Sequence, residues 1–189
     1  MFVRKNFNAL IVLLLWVVLP NCTVTNNEII HKQLFDLNWK FSLGNLTTTR
    51  DTAFNSINWR SIDLPHDWST DSVLTDSLKK QGIGRKAAEN GWYRKSFEIP
   101  ENWVGKKIVI EFEGINIQHE IFVNGVSVKS SVNDKQITQA DLTPNLHPNE
   151  KNLIDIRIDV NKESGTAWNS ETGIYRHVWL VIKDNGQNP

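Results

Sequence analysis

The chain has 189 residues, 40% of them hydrophobic, and 21 Lys and Arg balance 21 Asp and Glu to a formal net charge of zero. That balance lacks the basic footprint of a nucleic-acid binder, and the apolar content is too high for a disordered chain. A domain of this size buries roughly 70% of the surface its unfolded chain exposes, so the core requires neither metal nor disulfide.

The first residues read as a leader and not as part of the fold. Arg4 and Lys5 precede an uninterrupted apolar run from Ala9 to Leu19. The run is shorter than the ~20 residues of a membrane span and suits the apolar region of a signal peptide, assigned here to residues 1–21. A buried core helix is the alternative, and the absence of an amphipathic period argues against it. Cys22, the single cysteine, cannot form an internal disulfide. Its position resembles the acylated cysteine of bacterial lipoproteins, although Leu19-Pro20-Asn21 departs from the usual small residues there. An ordinary signal peptide cleaved nearby is the other reading. Residues 22–34 are then a polar tether, and the chain is expected to be exported to the periplasm, the medium or the cell envelope. Any membrane contact would run through a lipid on Cys22.

Beyond the leader the pattern is short alternating runs divided by turn signals, which predicts an all-β, antiparallel sandwich over residues 35–182. Short strands are expected at Trp39–Phe41 and Trp59–Ile62, and a longer one at Gly91–Ile99, stopped by Pro100. In Lys107–Glu113, Ile108, Ile110 and Phe112 face inward, and Glu111 and Glu113 form a solvated face. Ile121–Val128 is a hairpin, because Asn124-Gly125 supplies the positive φ angles of a type I′ turn. In Leu153–Val160, Ile154, Ile156, Ile158 and Val160 share the buried face, and Asp155, Arg157 and Asp159 share a polar one. Tyr175–Ile182 is the last strand, and 183–189 is a frayed tail. Asp71–Asn90, Leu142–Asn152 and Asn161–Thr172 read as loops.

Four segments in this order carry a family resemblance: Leu64-Pro-His-Asp-Trp68, Gly91-Trp-Tyr-Arg-Lys95, Phe122-Val-Asn-Gly125 and Thr172-Gly-Ile-Tyr-Arg-His-Val-Trp179. Each is weak alone. Together, at spacings that fit one domain, they resemble the N-terminal sugar-binding domain of glycoside hydrolase family 2, the β-galactosidase-like enzymes. The resemblance covers about Phe35 to Ile182. It implies a galactose-binding-like jelly roll, followed in the family by an immunoglobulin-like domain and a (β/α)₈ barrel. It implies hydrolysis of O-glycosyl bonds for the whole enzyme, but no catalytic residue in this chain. Retaining hydrolysis needs two carboxylates about 5 Å apart on a barrel of roughly 250 residues. This chain is therefore expected to be inactive alone, a domain present without its barrel. An independent binding module and a ligand-free interaction sandwich are the alternatives.

The motif residues His66, Asp67, Trp68 and Arg176 read as structural. His66 is a hydrogen-bonder, Asp67 and Arg176 are expected to pair, and Gly173 permits a backbone turn that a Cβ would block. Trp92 and Tyr93 point to opposite faces, and Trp92 or Trp103 is expected to contribute to an exposed apolar patch where the next domain would pack. The family resemblance places sugar contacts in the 161–172 loop, here Trp168, Asn169 and Glu171, with Asp159 and Asn161 at the strand end. The sequence departs from the family there, with Ala167 where an Arg is common and Asn169 and Glu171 replacing a Tyr and a small residue. A solvated loop with Trp168 packed on the sandwich is the other reading. Of the eight Trp, most are expected in the core and one or two against a sugar ring. The expected ligand is a galactose-like carbohydrate, held weakly. No metal or cofactor is expected.

Overall fold

A computed structural model describes residues 29–44, 59–71, 90–115, 118–131, 137–159 and 172–184. Among the described residues are twelve strands: β1 (Ile29–Leu34), β2 (Trp39–Leu43), β3 (Arg60–Ile62), β4 (His66–Asp67), β5 (Gly91–Phe97), β6 (Lys107–Phe112), β7 (His119–Val123), β8 (Val126–Ser131), β9 (Thr138–Asp141), β10 (Asn152–Ile158), β11 (Gly173–Ile174) and β12 (Val178–Lys183). They form a four-stranded sheet ordered β1-β12-β6-β9, a six-stranded sheet ordered β3-β2-β5-β10-β7-β8, and a small β11-β4 ladder. All pairings are antiparallel. This is the antiparallel sandwich that the alternation predicts, in the jelly-roll class that the family resemblance implies.

The period-two logic places the core correctly. Ile154, Ile156 and Ile158 of β10 are fully buried, as are Ile110 and Phe112 of β6, Val123 of β7 and Val178 of β12. They interdigitate between the sheets with Trp39, Phe41 and Tyr93. The Asn124-Gly125 turn has φ of 48° and 81°, the left-handed pair that a two-residue hairpin requires. Most predicted strand ends shift by one or two residues. The last predicted strand is divided, because Tyr175 to His177 bend between β11 and β12. The short β4, β9 and β11 carry no alternation long enough to read.

Several expectations are corrected. The sandwich begins at Ile29, inside the stretch read as tether, because β1 completes the edge of the four-stranded sheet against β12. Lys183 likewise lies in β12 and not in a tail. Its sequence hides β1, since Ile29 and Leu34 remain exposed at the edge. The face read as solvated is also partly covered. Glu111 is buried, receiving Lys32 Nζ at 2.8 Å and Gln139 Nε2 at 2.5 Å. Glu113 accepts the Trp179 indole N–H at 2.8 Å. Neither Trp92 nor Trp103 is exposed; Trp92 joins Trp59 and Phe122 in a second apolar cluster on the outer face of the six-stranded sheet.

Beside that cluster lies the most buried ion pair described. Asp155 of β10 faces Arg94 of β5 in register, with bonds of 2.5 Å from Nε and 2.8 Å from Nη2. Burial pushes the Asp155 carboxyl up, and Arg94 pulls it down. The Trp59 ring lies 5.3 Å from the guanidinium, which suits a flat, weakly hydrated cation.

Two stability tests follow from this packing. Ile156→Ala should cost about 2–5 kcal/mol in urea denaturation, as buried large-to-small changes do; a loss well under that would mean the site is not core. Asp155→Ala should cost about 3–5 kcal/mol, because it strands a buried guanidinium, whereas Arg94→Met with Asp155→Leu should cost much less. Equal losses would assign the cost to packing and not to charge.

Candidate functional site

Three of the four motifs meet at one corner of the sandwich, and the Asn124-Gly125 hairpin lies at the other end of β10. After a cis Leu64–Pro65 bond, β4 carries His66 and Asp67 into the ladder with β11, pairing Ile174 with His66 and Gly173 with Asp67. Trp68 follows, and its ring lies against Gly91 and Gly173. A Cβ at Gly91 would overlap the Trp68 ring, and one at Gly173 would lie 2.5 Å from the His66 carbonyl and 2.6 Å from the Tyr93 hydroxyl. Gly173 also holds a φ of 120°, which L side chains rarely adopt. The glycine in Gly-Trp-Tyr and the glycine in Thr-Gly-Ile are therefore the two walls of one slot.

Behind the slot is a polar network. Arg60 Nη2 donates to His66 Nε2 at 2.9 Å, His66 Nδ1 lies 2.8 Å from the Tyr93 hydroxyl, and that hydroxyl donates to the His66 carbonyl at 3.3 Å. An acceptor role for Nε2 puts the imidazole proton on Nδ1, facing Tyr93. Burial holds His66 below its ordinary pKa, assisted by the Arg60 charge and opposed by Asp71. Asp71 binds Arg60 and lies 3.3 Å from Nε2. Burial also pushes Tyr93 well up. His66 and Tyr93 lie in an aromatic cluster with Phe41, and His66 hydrogen-bonds through both ring nitrogens.

The expected Asp67–Arg176 pair is not formed. Asp67 Oδ1 accepts from Ser69 N at 2.9 Å, Ser69 Oγ at 2.7 Å and Thr172 N at 3.1 Å, and Arg176 is exposed. Register explains this: Asp67 faces Gly173, while Arg176 lies beyond the end of the β4–β11 ladder. Its neighbour His177 makes the contact instead, with Nδ1 2.6 Å from Asp36 Oδ2. That carboxylate raises His177 above its ordinary pKa. Asp36 also accepts the Val178 N–H at 2.8 Å.

The same corner roots three chain segments. Gly44 N donates to Asn90 O at 2.9 Å, and Trp92 Nε1 donates to Gly44 O at 3.1 Å. Ile158 pairs with Gly91 and with His119, and Asp159 N donates to Gln118 O at 3.0 Å. Trp68 N donates to Thr172 O at 3.1 Å. Segments 45–58, 72–89 and 160–171 thus leave and re-enter the described fold at one rim. Of the candidate sugar contacts, Asp159 lies on this rim, with Oδ2 held by Arg157 at 3.2 Å from Nε and 3.0 Å from Nη2. Asn161, Trp168, Asn169 and Glu171 lie outside the described residues, as does Cys22. Arg60, Tyr93 and Asp71 were missed as partners of His66, since nothing in sequence spacing joins them. Among the described residues no cluster of His, Cys, Asp or Glu is arranged to hold a metal.

The profile of glycosyl hydrolases family 2, sugar binding domain, matches residues 33–184. The chain belongs to that family. It is 35% identical over 147 residues to a β-galactosidase of Bacteroides ovatus, covering 77% of this chain and 17% of that protein. It is 31% identical over 166 residues to a β-glucuronidase of Formosa agariphila, covering 79% of this chain and 17% of that one. The crystal structure of a β-glycosidase from Bacteroides vulgatus superimposes with a TM-score of 0.69 at 33% identity, over 82% of this chain and 20% of that one. The chain therefore spans about a fifth or less of the length of these relatives. The slot built by Gly91, Trp68 and Gly173 joins three of the four motifs.

The two perturbed histidines give a pH test. His66 is held down, so its share of stability is present above the ordinary value near 6.5 and is lost as pH falls below it, when the unfolded chain takes up the proton first. His177 is held up, so its share is present below about 6.5 and is lost as pH rises through its raised value. In NMR titrations His66 should titrate below 6.5 and His177 above it. His177→Ala should remove the alkaline-side loss of stability and leave the acid side unchanged. A single common midpoint for both rings would refute the assignment.

Proposed function

We propose that this family-2 domain acts as a non-catalytic wall of a glycosidase sugar site, offering a galactose-like ring the segment 160–171 with Trp168, Asn169, Asn161 and Glu171, and Asp159 at its root. The observation that carries the reading is the anchoring of both ends of that segment at one rim, through Asp159–Gln118 on one side and Thr172 with Asp67 and Trp68 on the other. A short segment fixed at both ends loses less entropy on binding than a free one. The printed activities of the relatives, β-galactosidase and β-glucuronidase, support a sugar ligand and leave its identity to experiment. Hydrolysis in this reading belongs to a barrel that supplies the two carboxylates, which the domain meets as a partner together with an immunoglobulin-like domain. Export, with or without a lipid on Cys22, is part of the same proposal and rests on the charged start and apolar run.

A single wall gives one stacking aromatic and a few hydrogen bonds, each contributing about 0.5–1.5 kcal/mol in water. A galactose titration followed by Trp fluorescence should therefore give a dissociation constant near 1 mM, about −4 kcal/mol, lost in Trp168→Ala. A chromogenic β-galactoside should show no turnover by the chain alone. Turnover abolished by one Glu→Gln change would overthrow the reading. Absence of any galactose response would remove the sugar-wall role and leave an interaction sandwich.

A further inference from the structure

The Phe122-Val-Asn-Gly125 motif does something the sugar reading does not absorb. Asn-Gly is the sequence most open to deamidation. The Gly amide nitrogen attacks the Asn Cγ, ammonia leaves with Nδ2, and the resulting succinimide takes up water to give Asp or isoaspartate. Attack requires a mobile side chain swung toward its own C-terminal neighbour, and glycine presents no Cβ to hinder it. The chain contains three such pairs: Asn90-Gly91, Asn124-Gly125 and Asn185-Gly186.

Asn124 is tied down on every side. Its backbone N–H donates to Leu153 O at 2.8 Å. Its Oδ1 accepts Leu153 N at 2.9 Å, and its Nδ2 donates to Asn145 O at 2.7 Å and to Asn152 Oδ1 at 2.9 Å. The side chain is thus bonded to β10 and to the loop that precedes it. Its anchor is itself fixed. Asn152 is fully buried, with Oδ1 accepting His147 N at 2.7 Å and Nδ2 donating to His147 O at 2.9 Å and to Glu150 O at 3.1 Å. The positive φ of 48° at Asn124 is locked by the hairpin at the same time.

We infer that Asn124 is a conditional modification site: Asn145 of the 142–151 loop and Asn152 at the start of β10 clasp its carboxamide and block deamidation at the hairpin tip, which proceeds only when that loop opens. The carboxamide bonds both hold the side chain and retain the leaving amide group. Each must break before Cγ can meet the Gly125 nitrogen, so protection should follow the opening equilibrium of the loop.

The test uses the purified full chain at alkaline pH, with peptide mapping for the gain of about 1 Da and for isoaspartate at each Asn-Gly pair. In urea the rates at 124 and 185 should be similar. Under folding conditions the rate at 124 should fall at least about tenfold below its own rate in urea, as breaking several hydrogen bonds requires. Asn152→Ala should return the 124 rate toward the urea value while leaving 185 unchanged. Equal rates at 124 in folded and urea-unfolded chain would overturn the inference, and that comparison needs no variant. Protection that persists in a folded Asn152→Ala chain would overturn the role of the loop.

Discussion

The corner of this sandwich depends on a steric constraint at Trp68. Its indole fits only because Gly91 lacks a Cβ, and Gly173, 82 residues away in sequence, lacks one where the His66 carbonyl and the Tyr93 hydroxyl close the slot. Filling that slot fixes the start of β5, the β4–β11 ladder and the return of the chain into β12 in one contact. Close packing tolerates no extra methyl at such a place without displacement of neighbours. The Arg60–His66–Tyr93 network then bonds both ring nitrogens of His66 and the Tyr93 hydroxyl, leaving Arg60 Nε as a buried donor without a partner among the described residues.

Charge is used in the same manner away from the corner. Arg94 and Asp155 sit on the outer face of the six-stranded sheet, and Lys32 and Glu111 on that of the four-stranded sheet. Both pairs link strands through side chains on faces that alternation alone assigns to solvent. Arg94–Asp155 is fully desolvated and two-pronged, so its loss on one side is costly. Lys32–Glu111 is more exposed on the lysine side and contributes less; its role is to seat β1, the strand that carries the chain into the sheet from the N-terminal side.

This architecture separates support from recognition. The rigid end of the sheet provides bonded roots, and the segments that leave it carry the Trp, Asn and Glu side chains proposed to meet sugar. Strand-borne frames with loop-borne contacts are the usual division of labour in sandwich binding domains. The relatives devote most of their length to other regions.

Sequence alone determined the class of fold, the buried faces of β6, β10 and β12, the hairpin at Asn124-Gly125 and, through four motifs in order, the family. These follow from local rules: period two sorts faces, φ preferences place turns, and motif order survives in the linear chain. Tertiary structure alone decided partners. Nothing local tells Asp67 to take Thr172 in place of Arg176, joins Arg94 to Asp155, or docks the polar β1 onto β12, because each depends on cross-strand register between distant segments. The same holds for Trp92 and Trp103, read as exposed and found buried. Whether an outward side chain meets water is set by what folds over it, and that information is absent from the alternation of a single strand.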